Sequence, residues 1–411
     1  MIPEVTGAPP SRASTIAIVG LSAAALLSTL LLVHPWYEAG GSTNDGSMYV
    51  LCAQALVRGE GYAYLGAPFT VRPPGFSALL APVLALRGLD FYALNLFVAL
   101  WGVACISLLA VFQRARLGTA LALSVAALVW LNPLFQAFCC RVMSDVPAAA
   151  ALVLGLLVER WARRRESWKR DVVLGLVIGL TGYLRWVDAL LLAAVVSSRI
   201  ARRFASGERR AWFAFALRRL APVSIAAVLV IAPWWTRNAL VEPDAAHDQE
   251  FAYSYTTALL REDPGDPRSA WLSGSAVAQR VGLNFARIAT ALGSRLHGEE
   301  KAIEFGHATC GALLLVIALV TLARRRGAAD FMLLGLLCAY GMAPSLRQRY
   351  LIPIFLLALP AALDSLAWLG EKLASPRAVR LTLTVLVLVV AALDFAPRKG
   401  WDEIETRHAR L

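Results

Sequence analysis

Runs of about twenty apolar residues recur along this chain, and no other feature restricts its fold so strongly. A hydrocarbon core is crossed by about 20 residues of helix, and it admits only segments that satisfy their own backbone polar groups. Segments 15–34, 91–112, 118–135, 146–161, 220–236, 304–323 and 380–396 meet that description. Two longer regions, 171–198 and 329–370, are also apolar but are interrupted in the middle by arginine. Composition agrees, since 58% of the 411 residues are hydrophobic and only 17% are charged. A soluble domain carries about a quarter charged residues. The expectation is an all-α polytopic membrane protein, with residues 1–411 forming a single transmembrane domain.

Arginine placement sets the topology. Arg160, Arg163, Arg164, Arg165, Lys169 and Arg170 precede the 171–198 region, and Arg199, Arg202, Arg203, Arg209, Arg210, Arg218 and Arg219 follow it. Cytoplasmic loops collect Lys and Arg, so both flanks belong inside and the region between them crosses an even number of times. It reads as a tight hairpin with Arg185 and Asp188 at its outer turn. The same reasoning applies to 329–370, with Arg324, Arg325 and Arg326 before it and Lys372, Arg377 and Arg380 after it. Arg347 and Arg349 then fall at the outer tip. The count comes to about eleven transmembrane helices, with the N-terminus cytoplasmic in an inner (plasma) membrane. Two outer loops are long, 35–90 and 237–303. In the first, Met48, Leu51, Cys52, Ala55 and Leu56 recur at helical spacing, as in an amphipathic helix at a membrane surface.

The formal charge of +12 does not indicate nucleic acid. The arginines lie in short clusters between apolar runs, as expected beside anionic lipid headgroups, and no nucleic-acid-binding motif is present. The six cysteines, Cys52, Cys105, Cys139, Cys140, Cys310 and Cys338, form no CxxC and mostly sit in or beside apolar stretches. They read as small buried residues. The first apolar run reads as a transmembrane helix and not a cleaved leader, since no small-residue cleavage site follows it.

Under this topology Asp45, Arg72, Asp145, Arg185, Asp188, Arg237, His307, Arg347 and Arg349 all lie at or just beyond the outer ends of helices. Ionisable groups at membrane depth are costly and by default mark function. A transporter more often places them at the midplane on broken helices; a cluster on one face suits chemistry on a lipid headgroup. Asp45 and Asp145 each open a helix, where a carboxylate caps backbone N–H groups, and Asp45 also suits a general base. Together they suit either a divalent metal ion or the positioning of an acceptor hydroxyl. Arg72 precedes Pro73-Pro74, which hold the backbone extended. Arg347 and Arg349, followed by Tyr350, suit bidentate binding of phosphate as well as anchoring among lipid phosphates. Trp234 and Trp235 read as a membrane-interface pair, and Arg237 as the C-terminal residue of that helix. His297 and His307 lack metal-ligand spacing.

The order of motifs resembles the GT-C superfamily of membrane glycosyltransferases. Its protein O-mannosyltransferase and aminoarabinose transferase branch is the nearest. The residues carrying the resemblance are Asp45 after the first helix, Tyr49 with Ala53, Leu56 and Gly59, then Arg72-Pro73-Pro74 and Ser144-Asp145. Leu184-Arg185-Trp186, the stretch from Pro233 to Asn238, and Arg349-Tyr350-Leu351-Ile352-Pro353 follow in order. The resemblance implies a GT-C fold and a polyprenyl-phosphate-linked sugar as donor. It further implies an acceptor that is a lipid, a polysaccharide or a protein, and transfer at the extracytoplasmic face. It makes Asp45 and Asp145 the acidic catalytic positions. It likewise makes Tyr49, Arg72, Arg185, Arg237, Arg347, Arg349 and Tyr350 the expected substrate-binding positions. The chain departs from the pattern at Asn44, where many relatives carry a second acid, and at Val71, where aminoarabinose transferases place Glu. The rival expectation is a polyprenyl-lipid carrier, flippase or transporter that uses the same arginines without making bonds.

Overall fold

The computed structural model describes residues 11–37, 45–207, 212–241, 259–264, 266, 268–296 and 303–394. Helix α1 (Arg12–Leu32) starts where the Ser11 hydroxyl accepts from the Ser14 amide at 3.1 Å. Helices α2 (Asp45–Val57) and α3 (Gly75–Arg87) follow, joined by a hairpin of β1 (Ala63–Tyr64) and β2 (Ala67–Pro68). These two short strands pair antiparallel, Ala63 opposite Pro68 and Tyr64 opposite Ala67. The two turn residues, Leu65 and Gly66, both have positive φ, as a two-residue hairpin turn of this twist requires. Next come α4 (Phe91–Leu117), α5 (Thr119–Leu131), α6 (Pro133–Cys139), α7 (Asp145–Arg163) and α8 (Trp168–Leu184). A 3-10 turn, Trp186–Ala189, leads into α9 (Leu190–Ala205). Helix α10 (Trp212–Leu240) contains a π turn at Ala216–Leu220. The chain continues with α11 (Gly274–Gly293), α12 (Phe305–Arg325), α13 (Ala328–Gly341), a second 3-10 turn at Gln348–Leu351, α14 (Ile352–Gly370) and α15 (Pro376–Asp394).

Six described spans are long and apolar enough to cross a membrane by length and composition: α1, α4, α10, α12, α14 with its preceding turn, and α15. Helices α5 and α6 make a seventh if the pair is one span bent by 67°. The bend has a local cause: Asn132 caps α6 by accepting from the Phe135 amide at 3.2 Å, and Pro133 cannot continue α5. The remaining four of the eleven expected crossings are α7, α8, α9 and α13. Of these, α8, α9 and α13 have 17, 16 and 14 residues, and α7 ends in Glu159, Arg160 and Arg163. The expected 171–198 hairpin is not tight. Its arms diverge at the 3-10 turn, α8 packing chiefly along α10 and α7, and α9 along α13.

Apolar side chains point both ways. Leu94, Ile106, Leu109, Leu152, Leu156 and Leu174 are fully buried where α4, α7 and α8 meet. On the outside, Leu31 is 87% exposed, Leu229 66% and Val316 61%. Apolar surface spread along whole helices has lipid as its natural solvent, so the protein is an integral membrane protein. Close backbone approach fixes α11 on α12: a Cβ on Gly311 would lie 1.8 Å from the Ala289 carbonyl oxygen, and one on Gly293 1.9 Å from that of His307. Small residues at such crossings are how membrane helices pack.

Polar contacts collect at two ends of the bundle. At the end where α8 begins and α4 finishes, Asp364 receives Arg325 in a fork at 2.5 and 2.7 Å, with Arg324 at 3.8 Å. Asp330 accepts from Arg116 at 3.0 Å and caps α13 by accepting from the Gly327 amide at 2.9 Å. Asp171 takes Arg199 at 2.6 Å and Arg219 at 3.3 Å. Arg199, Arg219, Arg324 and Arg325 are among those the positive-inside pattern places in the cytoplasm; their buried carboxylate partners are not evident from that pattern. At the opposite end, α2 and α7 begin.

Candidate active site

Two helix N-termini approach each other at this second end, and each carries a carboxylate in its first turn, Asp45 on α2 and Asp145 on α7. The approach is close: a Cβ on Gly46 would lie 2.8 Å from the Val142 carbonyl oxygen. Tyr49, one turn into α2, shares a 3.1 Å hydrogen bond with the Ser144 hydroxyl. Ser144 makes no side-chain cap to α7, so its hydroxyl joins the two helices instead. The positive ends of both helix dipoles meet here, which favours anions.

Guanidinium groups arrive from three other segments. Arg349 lies in the 3-10 turn before α14, buried, with Nη2 2.6 Å from Asp45 Oδ2. Its Nη1 rests 3.8 Å from Met143 Sδ. Arg72 donates to the other oxygen, Asp45 Oδ1, at 3.3 Å. Arg185, in extended backbone between α8 and its 3-10 turn, donates to Asp145 Oδ1. Tyr350 separates the two arms of this network: the Arg185 and Arg349 guanidinium carbons each lie 5.3 Å from its ring centre. Tyr340 stacks on Tyr350 at 5.5 Å, nearly parallel. The last turn of α13, which carries Tyr340, is held by the Asn284 amide, which donates to the carbonyls of Tyr340, Gly341 and Ala343.

The electrostatics of Asp45 follow from this geometry. Burial alone would raise its carboxyl, but Arg72 and Arg349 outweigh burial and hold it below the usual carboxylate range. Asp45 is therefore an anion neutralised by two cations. Both of its oxygens face guanidinium groups, and Asp145 is paired with Arg185. Among the described residues no group of three or more His, Cys, Asp or Glu is placed to hold a metal ion. Asp45 and Asp145, the two acids expected to hold a divalent cation, are each paired with arginine in this arrangement.

Asp45, Arg72, Asp145, Arg185, Arg349 and Tyr350 form one contiguous cluster, with Tyr49 joined through Ser144. Arg347 stands half-buried at the start of the Gln348–Leu351 turn. Arg237 is elsewhere. It donates to the carbonyls of Phe69 at 2.9 Å and Tyr62 at 2.8 Å and lies 5.3 Å from the Trp234 ring centre. Tyr62 in turn donates to the Arg72 carbonyl at 3.1 Å, so Arg237 reaches the cluster only through the strap that presents Arg72. That strap leads into α3 at Gly75, where a Cβ would lie 2.5 Å from the Tyr183 carbonyl oxygen. Exposed His307 pairs locally with Glu304 at 2.7 Å. Asn44, His297 and most of the first half of the 237–303 loop lie outside the described residues. Tyr340 escapes a sequence reading because it sits among ordinary apolar neighbours, and Met143 because an uncharged methionine beside Ser144-Asp145 carries no signal of its own.

No protein-family model matches the sequence, and no curated protein matches it. Solved structures do. ArnT from Cupriavidus metallidurans bound to undecaprenyl phosphate superposes over 92% of this chain and 71% of its own, with a TM-score of 0.56 at 15% identity. The same protein in the apo state gives 0.57 at 16% identity, over 88% of this chain and 62% of its own. AglB, the archaeal oligosaccharyltransferase from Archaeoglobus fulgidus in complex with an inhibitory peptide and a dolichol-phosphate, gives 0.56 at 14% identity, over 96% and 58%. This chain therefore spans less than two thirds of the length of two of these three. The fold is that of the GT-C membrane glycosyltransferases.

Proposed function

We propose that this GT-C chain transfers a sugar from a polyprenyl-phosphate-linked donor to a hydroxyl acceptor, inverting the anomeric centre, at the extracytoplasmic membrane face. The observation that carries the reading is the bridging of Asp45 by Arg72 and Arg349 next to the Asp145–Arg185 pair. ArnT and AglB are each described with a polyprenyl-type phosphate bound, and that ligand suits two guanidinium groups at converging helix N-termini.

In this reading the donor phosphate competes with Asp45 for Arg72 and Arg349. Free of donor, Asp45 occupies the arginines and is a weak base. Once phosphate engages them, the carboxylate loses its counter-charges and its proton affinity rises toward a value fit for general-base work. Asp45 then accepts the proton of the attacking hydroxyl as its oxygen bonds to sugar C1 and the bond from C1 to the phosphate oxygen breaks. Arg72 and Arg349 stabilise the charge left on the polyprenyl phosphate, the kind of preorganised electrostatics that usually contributes most to rate. Asp145 keeps Arg185 in place beside Tyr350.

The test is turnover by purified protein in detergent, measured as release of polyprenyl phosphate from a lipid-linked sugar in the presence of an acceptor. Wild type turns over without a sealed membrane and Asp45→Asn does not. Activity that appears only as movement of lipid across sealed vesicles would assign the chain to the carrier class instead.

A further inference from the structure

Asp188 is the outlier of this end of the molecule. It sits in the 3-10 turn between α8 and α9, is 2% exposed, and among the described residues its Oδ2 is buried without a hydrogen-bond partner. Its backbone N–H closes the turn onto the Arg185 carbonyl at 3.0 Å, but its side chain caps nothing. The nearby guanidinium of Arg185 is committed to Asp145. Tyr340, 6% exposed, has the same character: its ring stacks on Tyr350 while its hydroxyl is buried without a partner. Asp188, Tyr340, Arg185 and Asp145 all lie within electrostatic reach of one another.

A buried carboxylate without a donor is costly. Folds keep such groups where a ligand supplies what the protein does not, and they lose stability by doing so. The missing partner is a hydrogen-bond donor. Phosphate is excluded, since it is an acceptor and would be repelled by Asp188; it suits Arg72 and Arg349. The adjoining part of a lipid-linked sugar is the glycosyl ring, whose hydroxyl or amino groups donate. Resting on the glycosyltransferase reading above, we infer that Asp188 and the Tyr340 hydroxyl form the subsite that reads hydrogen-bond-donating groups on the transferred sugar.

The experiment measures binding in detergent to three probes: undecaprenyl phosphate, undecaprenyl phosphate carrying a neutral hexose, and undecaprenyl phosphate carrying an amino sugar. The proteins are wild type, Asp188→Asn, Asp188→Ala and Tyr340→Phe. The variants should keep wild-type affinity for undecaprenyl phosphate and lose about tenfold or more for a sugar-bearing lipid. If the group read is a neutral hydroxyl, Asp188→Asn, which retains an acceptor oxygen, loses less than Asp188→Ala; if it is an ammonium, the two lose equally. Melting temperature supplies a second readout, because removing a partnerless buried charge should leave Asp188→Asn at least as stable as wild type. Equal loss for all three lipids, no loss for any, or a marked fall in melting temperature in Asp188→Asn overturns the inference alone. Failure of wild type to bind undecaprenyl phosphate at all overturns the glycosyltransferase reading with it.

Discussion

The bundle buries ionic groups at both ends, yet the two clusters are built differently. Around Asp364, Asp330 and Asp171, carboxylates meet arginines between helix bodies, and the pairs are multiple: a fork from Arg325, further arginines near Asp364, a helix cap from Asp330. Asp171 and Asp330 also lie in the first turns of their helices, but the arginines they meet come from the bodies of other helices. Around Asp45 and Asp145 the acids open helices, and two of the arginines, Arg185 and Arg349, come from short non-α segments. Aromatic rings line the gap, and Asp188 and Tyr340 keep unpartnered polar atoms. The first cluster clamps helices together. Under the proposed function the second holds charges that a ligand can take over, so that the same residue types serve stability at one end and chemistry at the other.

The largest effect should separate the two ends outright. Asp45→Asn is expected to lower transfer by about 10²–10⁴-fold, the usual contribution of a positioned general base, with expression unchanged. Asp364→Asn should leave turnover per folded molecule near wild type; comparable losses from both would erase the distinction. Arg349→Lys keeps a charge but not a planar fork, so donor binding should weaken by about 1–3 kcal/mol, read as a raised KM for the lipid donor.

On the stability side, Asp364→Ala leaves the half-buried Arg324 and Arg325 guanidinium groups without this buried counter-charge. Breaking buried pairs of this kind costs about 3–5 kcal/mol, to be seen as a lower melting temperature in detergent. Arg237→Lys should have a smaller effect. It loosens the strap that presents Arg72, lowering activity by about tenfold or less, and Arg72→Lys should largely mask that loss if the effect runs through Arg72.

The smallest effect is in pH. The Asp45 carboxyl is depressed in the folded protein, so its contribution to stability is full above the ordinary carboxylate value of about 4. It is lost only as pH falls through the depressed folded value. Wild type should therefore be more stable than Asp45→Asn at neutral pH, with the gap closing below about pH 4. A gap that closes between pH 5 and 8 would mean that Arg72 and Arg349 do not hold the carboxylate as described.

Much of this was legible in the chain. The apolar runs foretold helices, the arginines at 185, 347 and 349 foretold the breaks at the 186–189 and 348–351 turns, and Asp45 and Asp145 were recognisable because the arginine pattern places them at the outer ends of helices. Arg237 shows where such reading runs out. An arginine at the end of a membrane helix looks the same whether it faces a ligand or, as here, the carbonyls of Tyr62 and Phe69. The divergence of α8 and α9 was equally hidden, because a turn's sequence does not state which neighbours its two arms prefer.

By itself, the sequence determined that this protein is helical and lives in lipid. Run length and charge depletion are local properties, and the bilayer answers to them directly. Which acid meets which arginine was decided only by tertiary structure. Asp45 and Arg349 stand 304 positions apart, and no local rule reaches that far; packing of α2, α7, α13 and α14 brings them within hydrogen-bonding distance. The same packing left Asp188 Oδ2 and the Tyr340 hydroxyl buried without a hydrogen-bond partner among the described residues, a fact of three-dimensional neighbours that no residue type announces.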